Sequence, residues 1–244
     1  MTGVYTLADL NISITSIYEE VHNMLKDYVS SSYFIDFSVS TDQEDIEYER
    51  EKSAKEDEKE GIALRVFKDE YLETLAVYRQ IADKLPSYSA FLFHGSCIGM
   101  DGEAYLFTAK SGTGKSTHAR LWRELYGDKV VMINDDKPII RFKESVPYIY
   151  GTPWDGKHHL SSNVSMPLKA ICILERGEEN SIVKIDFKEA YPMLLQQSYR
   201  PGTGESLSMH LSNLDKLKDK VSFYRLKCNM SLDAAKTAYE GIKK

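Results

Sequence analysis

Cysteine is scarce: three residues, Cys97, Cys172 and Cys228, in a chain of 244. They are odd in number and far apart, and each sits in an apolar, strand-like setting. Buried free thiols are expected, with little support for a catalytic cysteine. Basic charge is not in excess either. A net charge of -6 and a pI near 5.6 argue against a general nucleic-acid binder, without excluding a nucleotide bound at one local site. Long apolar runs are missing; the strongest, Ala170–Leu174, suits a buried strand, so no membrane span is expected. Met1-Thr-Gly-Val-Tyr5 lacks a basic region followed by an apolar stretch, so no signal peptide is expected. No internal repeat is visible. The chain is expected to be cytoplasmic, and 42% hydrophobic with 28% charged residues is ordinary for a soluble globular protein.

The informative stretch is Ala109-Lys-Ser-Gly-Thr-Gly-Lys-Ser-Thr117. It follows an apolar, β-prone segment, Ala104–Thr108, and precedes a helical one, His118–Leu125. Strand, glycine-rich turn and helix N-terminus form a context that favours phosphate, because free N–H groups and the helix dipole both point at the anion. Gly112 and Gly114 let the backbone turn its N–H groups inward. The phosphate-loop pattern is met at Gly114, Lys115 and Ser116, while Ala109 stands where the pattern has glycine. The expected nucleotide contacts are Ser111, Gly112, Thr113, Gly114, Lys115, Ser116 and Thr117. Lys115 would reach the β- and γ-phosphates, and Ser116 would ligate Mg²⁺.

A second signal follows. The buried-type strand Lys129–Ile133 delivers Asn134-Asp135-Asp136, where a metal-linked acidic residue is expected. One carboxylate would hold Mg²⁺ and the other would accept a proton from an attacking hydroxyl. Three further residues are candidates. His94, read as lying on a strand and followed by Gly95, is placed to meet phosphate or metal. Lys157, in the loop Gly151-Thr-Pro-Trp-Asp-Gly-Lys157, would bind a phosphate or an acidic substrate group. Arg200 would stabilise transition-state charge. The adjacent pair His158-His159, read as a strand, points to opposite faces and is not expected to share one metal.

Along the chain, residues 11–28 show helical spacing, and 33–40 alternate like a strand. Residues 41–60 are charged, a solvated loop or exposed helix. Asp69 is expected to cap a helix that stops before Pro86. Ala90–Gly99 reads as one strand, and Asp101-Gly102 as a hairpin turn. A tight antiparallel hairpin therefore feeds the loop, unlike the parallel sheet of most phosphate-loop enzymes. Residues 138–142, 146–150, 168–175, 182–187 and 221–228 are further strands. A helix is expected over 187–199, with Pro192 tolerated only near its start. The last helix, 232–242, would be capped by Ser231.

The order His94-Gly95, hairpin, Ser111–Ser116, Asp135-Asp136 resembles the C-terminal domain of HPr kinase/phosphorylase and the nucleotide-binding part of ATP-dependent phosphoenolpyruvate carboxykinase. The resemblance covers about residues 88–200. It implies an α/β (α+β) fold with a β-rich, phosphoenolpyruvate carboxykinase/HPr kinase-like core around the P-loop. It also implies Lys115 on phosphates, Ser116 on Mg²⁺, Asp135 as catalytic base and Asp136 supporting the metal. Residues 151–157 stand in place of the HPr kinase signature loop, and the chain is far shorter than the carboxykinase. The sequences Asn134–Pro138 and Gly151–Trp154 also look like those of HPr-kinase-related small proteins.

The expectation is a cytoplasmic, ATP- and Mg²⁺-dependent kinase. Residues 87–244 would form the nucleotide-binding catalytic domain, and residues 1–86 an N-terminal α+β region for substrate recognition. The acceptor would be a hydroxyl, foremost a serine of a peptide or small protein. A small-molecule acceptor such as an amino acid or sugar is the alternative, and so is a nucleotide-sensing module without transfer. Neither nucleic acid nor membrane is an expected partner, and the oligomeric state, homo-oligomer included, is left open.

Overall fold

The computed structural model describes residues 1–202 and 204–243. The chain divides into two units, Met1–Lys84 and Leu85–Lys244.

In the first unit, β1 (Thr2–Leu7) and β2 (Leu10–Thr15) form an antiparallel hairpin. Its turn residues Ala8 and Asp9 have φ of 51° and 57°, the positive values that a two-residue turn requires. The helix expected over 11–28 is therefore corrected to the second hairpin strand, a five-residue helix α1 (Glu20–Met24) and a single 3-10 turn. Ile12 and Ile14 are buried between half-exposed polar neighbours, so the period-2 pattern of Leu10–Thr15 prevails over the looser helical one. The next strand, β3 (Phe37–Ser40), is shorter than expected, with Tyr33 and Phe34 exposed ahead of it; it lies parallel to β2.

The charged stretch forms helix α2 (Gln43–Glu60). Asp42 caps it reciprocally with Asp45, and Gly61 ends it in the left-handed region at φ 67°. Asp69, expected as a cap, is the first residue of α3 (Asp69–Lys84) and receives Arg50. Wholly buried Glu73 ties this unit together by accepting from the backbone N–H groups of Ile17 and Tyr18 and from the Thr41 hydroxyl.

The second unit is built on a mixed sheet of β4 (Ala90–Leu92), β5 (Ser96–Met100), β6 (Glu103–Thr108), β7 (Val131–Asn134), β8 (Ile139–Lys143), β9 (Val146–Tyr150), β10 (Ser165–Arg176), β11 (Ser181–Ile185) and β12 (Ser222–Cys228). The long strand β10 runs parallel to β6 and β12 and antiparallel to β9. Helices α4 (Lys115–Tyr126) and α7 (Leu232–Lys243) contribute to one apolar cluster, and α5 (Phe187–Gln197) and α6 (Gly204–Asp215) to the other.

Strict alternation drives this layering. On β10, Ile171 and Ile173 face the α5/α6 side, whereas Ala170, Cys172 and Leu174 face the α4/α7 side; β6 divides Leu106 from Tyr105 and Phe107 in the same way. The fold is thus α/β, with both faces of the central strands covered.

Several expectations change here. Ala90–Gly99 is two strands, with β4 paired to β8 and β5 to β6 and β7; His94 and Gly95 form the corner between them, so His94 is not on a strand. A Cβ at Gly95 would lie 2.8 Å from the Phe107 carbonyl oxygen, so the close approach inferred at that glycine is made by backbone. Pro192 lies inside α5, not near its start. Pro192 and Lys188 are both exposed, so the carbonyl that loses its donor belongs to the solvent-facing side of the helix. Helix α6 carried no clear sequence signal. Cys97 and Cys172 are free and wholly buried, but Cys228 is only half-buried. Among the described residues no helix is long and apolar enough to cross a membrane.

Candidate functional site

The hairpin of β5 and β6 turns at Asp101-Gly102, both with positive φ, and β6 then delivers the glycine loop directly to the N-terminus of α4. Gly112 and Gly114 hold φ of 73° and 122°, which only glycine adopts without strain. Ala109 does not have positive φ, which is why a methyl group is tolerated where the pattern has glycine. Gly114 is the N-cap of α4 and supplies no side-chain acceptor, and the first turn carries no acidic residue. The first-turn N–H groups are thereby left for a ligand, with the positive end of the helix dipole behind them.

Arg176, at the end of β10, donates through Nη2 to the Gly112 carbonyl at 2.5 Å and through Nε to the Thr113 carbonyl at 3.5 Å. These two contacts fix the orientation of the Gly112 and Thr113 carbonyls, and the Thr113 N–H donates to the Lys110 carbonyl at 3.3 Å.

Beside the loop lies a cavity of about 490 Å³. Its walls bring together His94, Ser111, Lys115, Ser116, Asp135, Asp136, Lys157 and His158, with Gly112, Gly114, Thr117 and Gly156. Residues from four separate stretches thus converge on one space. Thr113 lies on the other side of the loop, and Arg200 is exposed and does not line this cavity; its charge acts on His210 instead. Helix α5 ends at Gln197, three residues before Arg200, and the Gln197 carbonyl accepts from the backbone N–H of His94 at 2.8 Å.

Asp135 is nearly buried, at 8% exposure. Its carboxylate accepts from the Ser96 hydroxyl and interacts by hydrogen bond with Ser116. Burial pushes its pKa up; these two hydroxyls pull it partly back. Asp136 is more open, with Oδ1 3.3 Å from His94 Nε2 and 3.2 Å from Lys137 Nζ. His94 is pushed down to about 4 by burial and then by the charges of Lys137 and Lys115, so it is neutral at pH 7. Burial and then Lys137 also lower the Lys115 ammonium, whose Nζ lies 3.3 Å from the Ala109 carbonyl.

The turn that carries the two aspartates is set by Asn134. Its side-chain oxygen accepts from the N–H groups of Asp136 and Lys137, and its amide donates to the Thr152 carbonyl at 2.9 Å. Gly156, at φ 75°, lets the 151–158 loop pass over Asp136 and place Lys157 and His158 at the cavity. His158 and His159 belong to a 3-10 turn and its end, not to a strand. They separate even so: His158 lines the cavity and His159 pairs with Asp155 at 3.2 Å.

Ser96, Asn134 and Arg176 were missed as supporting residues. Asn134 alone had a local signal, as an Asx residue at a strand end. Among the described residues, no three His, Cys, Asp or Glu side chains converge as a metal cluster. The Ser116 hydroxyl and the carboxylates of Asp135 and Asp136 are hard oxygen donors. They suit Mg²⁺, which is commonly held by one or two carboxylates together with substrate phosphates.

The family model described as "SynChlorMet cassette protein ScmC" matches residues 66–234, more than half of the chain. No curated protein matches. Among solved structures, the Hpr(Ser) kinase/phosphatase from Coxiella burnetii is similar at 9% identity and a TM-score of 0.34, over 63% of this chain and 99% of that one.

Proposed function

We propose that this chain, which belongs to the family of SynChlorMet cassette protein ScmC, is an ATP- and Mg²⁺-dependent kinase that transfers the γ-phosphate to a hydroxyl, foremost a serine of a peptide or small protein. The observation that carries this reading is the meeting, in one cavity, of an uncapped helix N-terminus, Lys115 and the carboxylates of Asp135 and Asp136. Phosphoryl transfer asks the protein for positioning and charge stabilisation more than for covalent chemistry, and these groups supply both.

The loop from Ser111 to Thr117 binds the phosphates through backbone N–H groups. Lys115 neutralises charge on the transferring group, assisted by Lys157. Asp135, held by Ser96 and Ser116 with its pKa raised by burial, accepts the proton of the attacking hydroxyl. Ser116 and Asp136 would hold Mg²⁺, which supplies further charge neutralisation when bound. Neutral His94 orients Asp136.

The test is transfer of labelled γ-phosphate from ATP in a lysate of the source cell, comparing the parent with Lys115→Ala and Asp135→Asn. Label appearing in a protein or peptide with the parent alone is the expected result. Label only in a small molecule would give the acceptor class to the alternative. ATP binding with no transfer by any variant would replace the kinase with a nucleotide-sensing module.

A further inference from the structure

The glycine loop has a second side. A cavity of about 510 Å³ lies against it, sharing Gly112, Gly114 and Thr117 with the first and adding Thr113, His118, Leu121 and the 228–230 segment. Gly114, Thr117, His118 and Leu121 recur at helical spacing, so this wall is one stripe of α4 running away from the loop.

The two spaces differ in chemistry. The first contains two lysines, two carboxylates and two histidines. The second contains one cation, Arg176, which is already engaged with loop carbonyls, and is otherwise lined by Leu121, Cys228, Met230, the His118 ring, and uncharged polar residues and glycines. It is poorly suited to a second phosphate chain and well suited to a flat heterocycle.

His118 adds an independent observation. It is 2% exposed, and its Nε2 accepts from the indole N–H of Trp122 at 3.0 Å. Indole only donates, so Nε2 is unprotonated and a neutral ring carries its proton on Nδ1. That nitrogen is buried and has no hydrogen-bond partner. A buried donor without an acceptor is costly, and a bound ligand is one way to supply the acceptor.

We infer that this second cavity takes the nucleoside of the nucleotide, with its base along Leu121 and Met230 and with His118 Nδ1–H as a donor to it. The inference rests on the phosphate-binding reading above and adds the residues that distinguish a nucleotide from bare polyphosphate. The N-terminus of α4 then serves the phosphates, and its next two turns, together with Met230 after β12, serve the nucleoside.

The experiment measures binding of Mg²⁺-ATP and of inorganic tripolyphosphate to the full chain, to Leu121→Trp, which fills the cavity, and to His118→Phe, which keeps a ring and removes the donor. Met230→Ala, at a site 79% exposed, serves as a variant that leaves the core untouched. Far-ultraviolet circular dichroism and melting check the fold of each. The parent should bind both ligands. Leu121→Trp and His118→Phe should lose about tenfold or more in ATP affinity, and Met230→Ala several-fold, with tripolyphosphate changed less than about twofold. Folded variants that bind ATP as the parent does, or that lose both ligands equally, overturn the inference. A parent that binds neither ligand overturns the phosphate-binding reading and the inference with it. A parent that binds tripolyphosphate as tightly as ATP, with no effect of the substitutions, overturns the inference alone.

Discussion

The wholly buried hydroxyl of Ser96 donates to the carboxylate of Asp135 from the neighbouring strand. β5 and β7 lie side by side, so a residue 39 positions earlier in the chain sets the aim of the group proposed as the base. Ser96 does not line the cavity, so its part is positioning. Ser96→Ala is expected to lower kcat by about tenfold while leaving the KM for ATP within about twofold, because loss of aim costs rate more than binding. Steady-state kinetics with the identified acceptor check this; a rise in KM alone would mean that Ser96 only shapes the loop.

Arg176 grips the Gly112 and Thr113 carbonyls with a planar fork. Arg176→Ala is expected to weaken ATP binding by about five- to tenfold, and Arg176→Lys to recover little of it, because an ammonium cannot reproduce the paired geometry. Isothermal titration of the two variants gives the answer. Since Arg176 is exposed, the melting temperature should scarcely move.

Asp135 and Asp136 are expected to fail differently. Asp136→Asn should retain transfer but require several-fold more Mg²⁺, because one hard oxygen ligand is weakened. Asp135→Asn should stay inactive at every Mg²⁺ concentration. Rates measured across a Mg²⁺ series separate the two. Full rescue of Asp135→Asn by Mg²⁺ would reverse the assignment of base and metal ligand.

Gly151 begins the loop that passes over Asp136. A Cβ there would lie 1.9 Å from the Ser162 carbonyl oxygen and 2.6 Å from that of Ile133, both backbone atoms. Gly151→Ala is therefore expected to destabilise the fold by about 2 kcal/mol or more. Urea denaturation measures the loss, and an unchanged midpoint would contradict the close approach.

His210 is wholly buried, with Nε2 2.9 Å from the Ser198 hydroxyl and Nδ1 without a partner. Burial, then the charge of Arg200, pushes its pKa down to about 4 from the ordinary 6.5. Between those values the unfolded chain takes up a proton that the folded chain refuses. The stability present above pH 6.5 is therefore lost as pH falls toward 4. The loss attributable to this residue is at most about 3 kcal/mol. His210→Gln should flatten that part of the stability-versus-pH curve, as read by denaturant titrations at pH 7, 6, 5 and 4.5.

Much of the second unit was legible along the chain because its signals are local. The continuous apolar run on β10, the alternation on β12, the Asp101-Gly102 turn and the Gly112–Thr117 loop each depend on the conformational preferences of a few consecutive residues. The first unit is less legible. Ile14, Ile17, Tyr18 and Val21 fit a helix by spacing, yet Leu10–Thr15 pairs as a strand with β1, and that pairing partner lies outside any local window. His94 was placed on a strand because the apolar run Ala90–Phe93 continues into Ser96–Met100; only the assignment of the two halves to different partner strands shows the corner.

What the sequence determined by itself was the phosphate-loop pattern at the end of a hairpin strand and two carboxylates at the end of another. Glycine φ, helix-end dipoles and strand-end turns are properties of short stretches. Tertiary structure alone decided that Ser96 backs Asp135, that Arg176 clasps the loop from β10, that Lys157 and His158 enter the cavity and Arg200 does not, and that the loop has a second, less polar side. These are contacts between residues far apart in the chain, set by strand order and register, and no local preference encodes them.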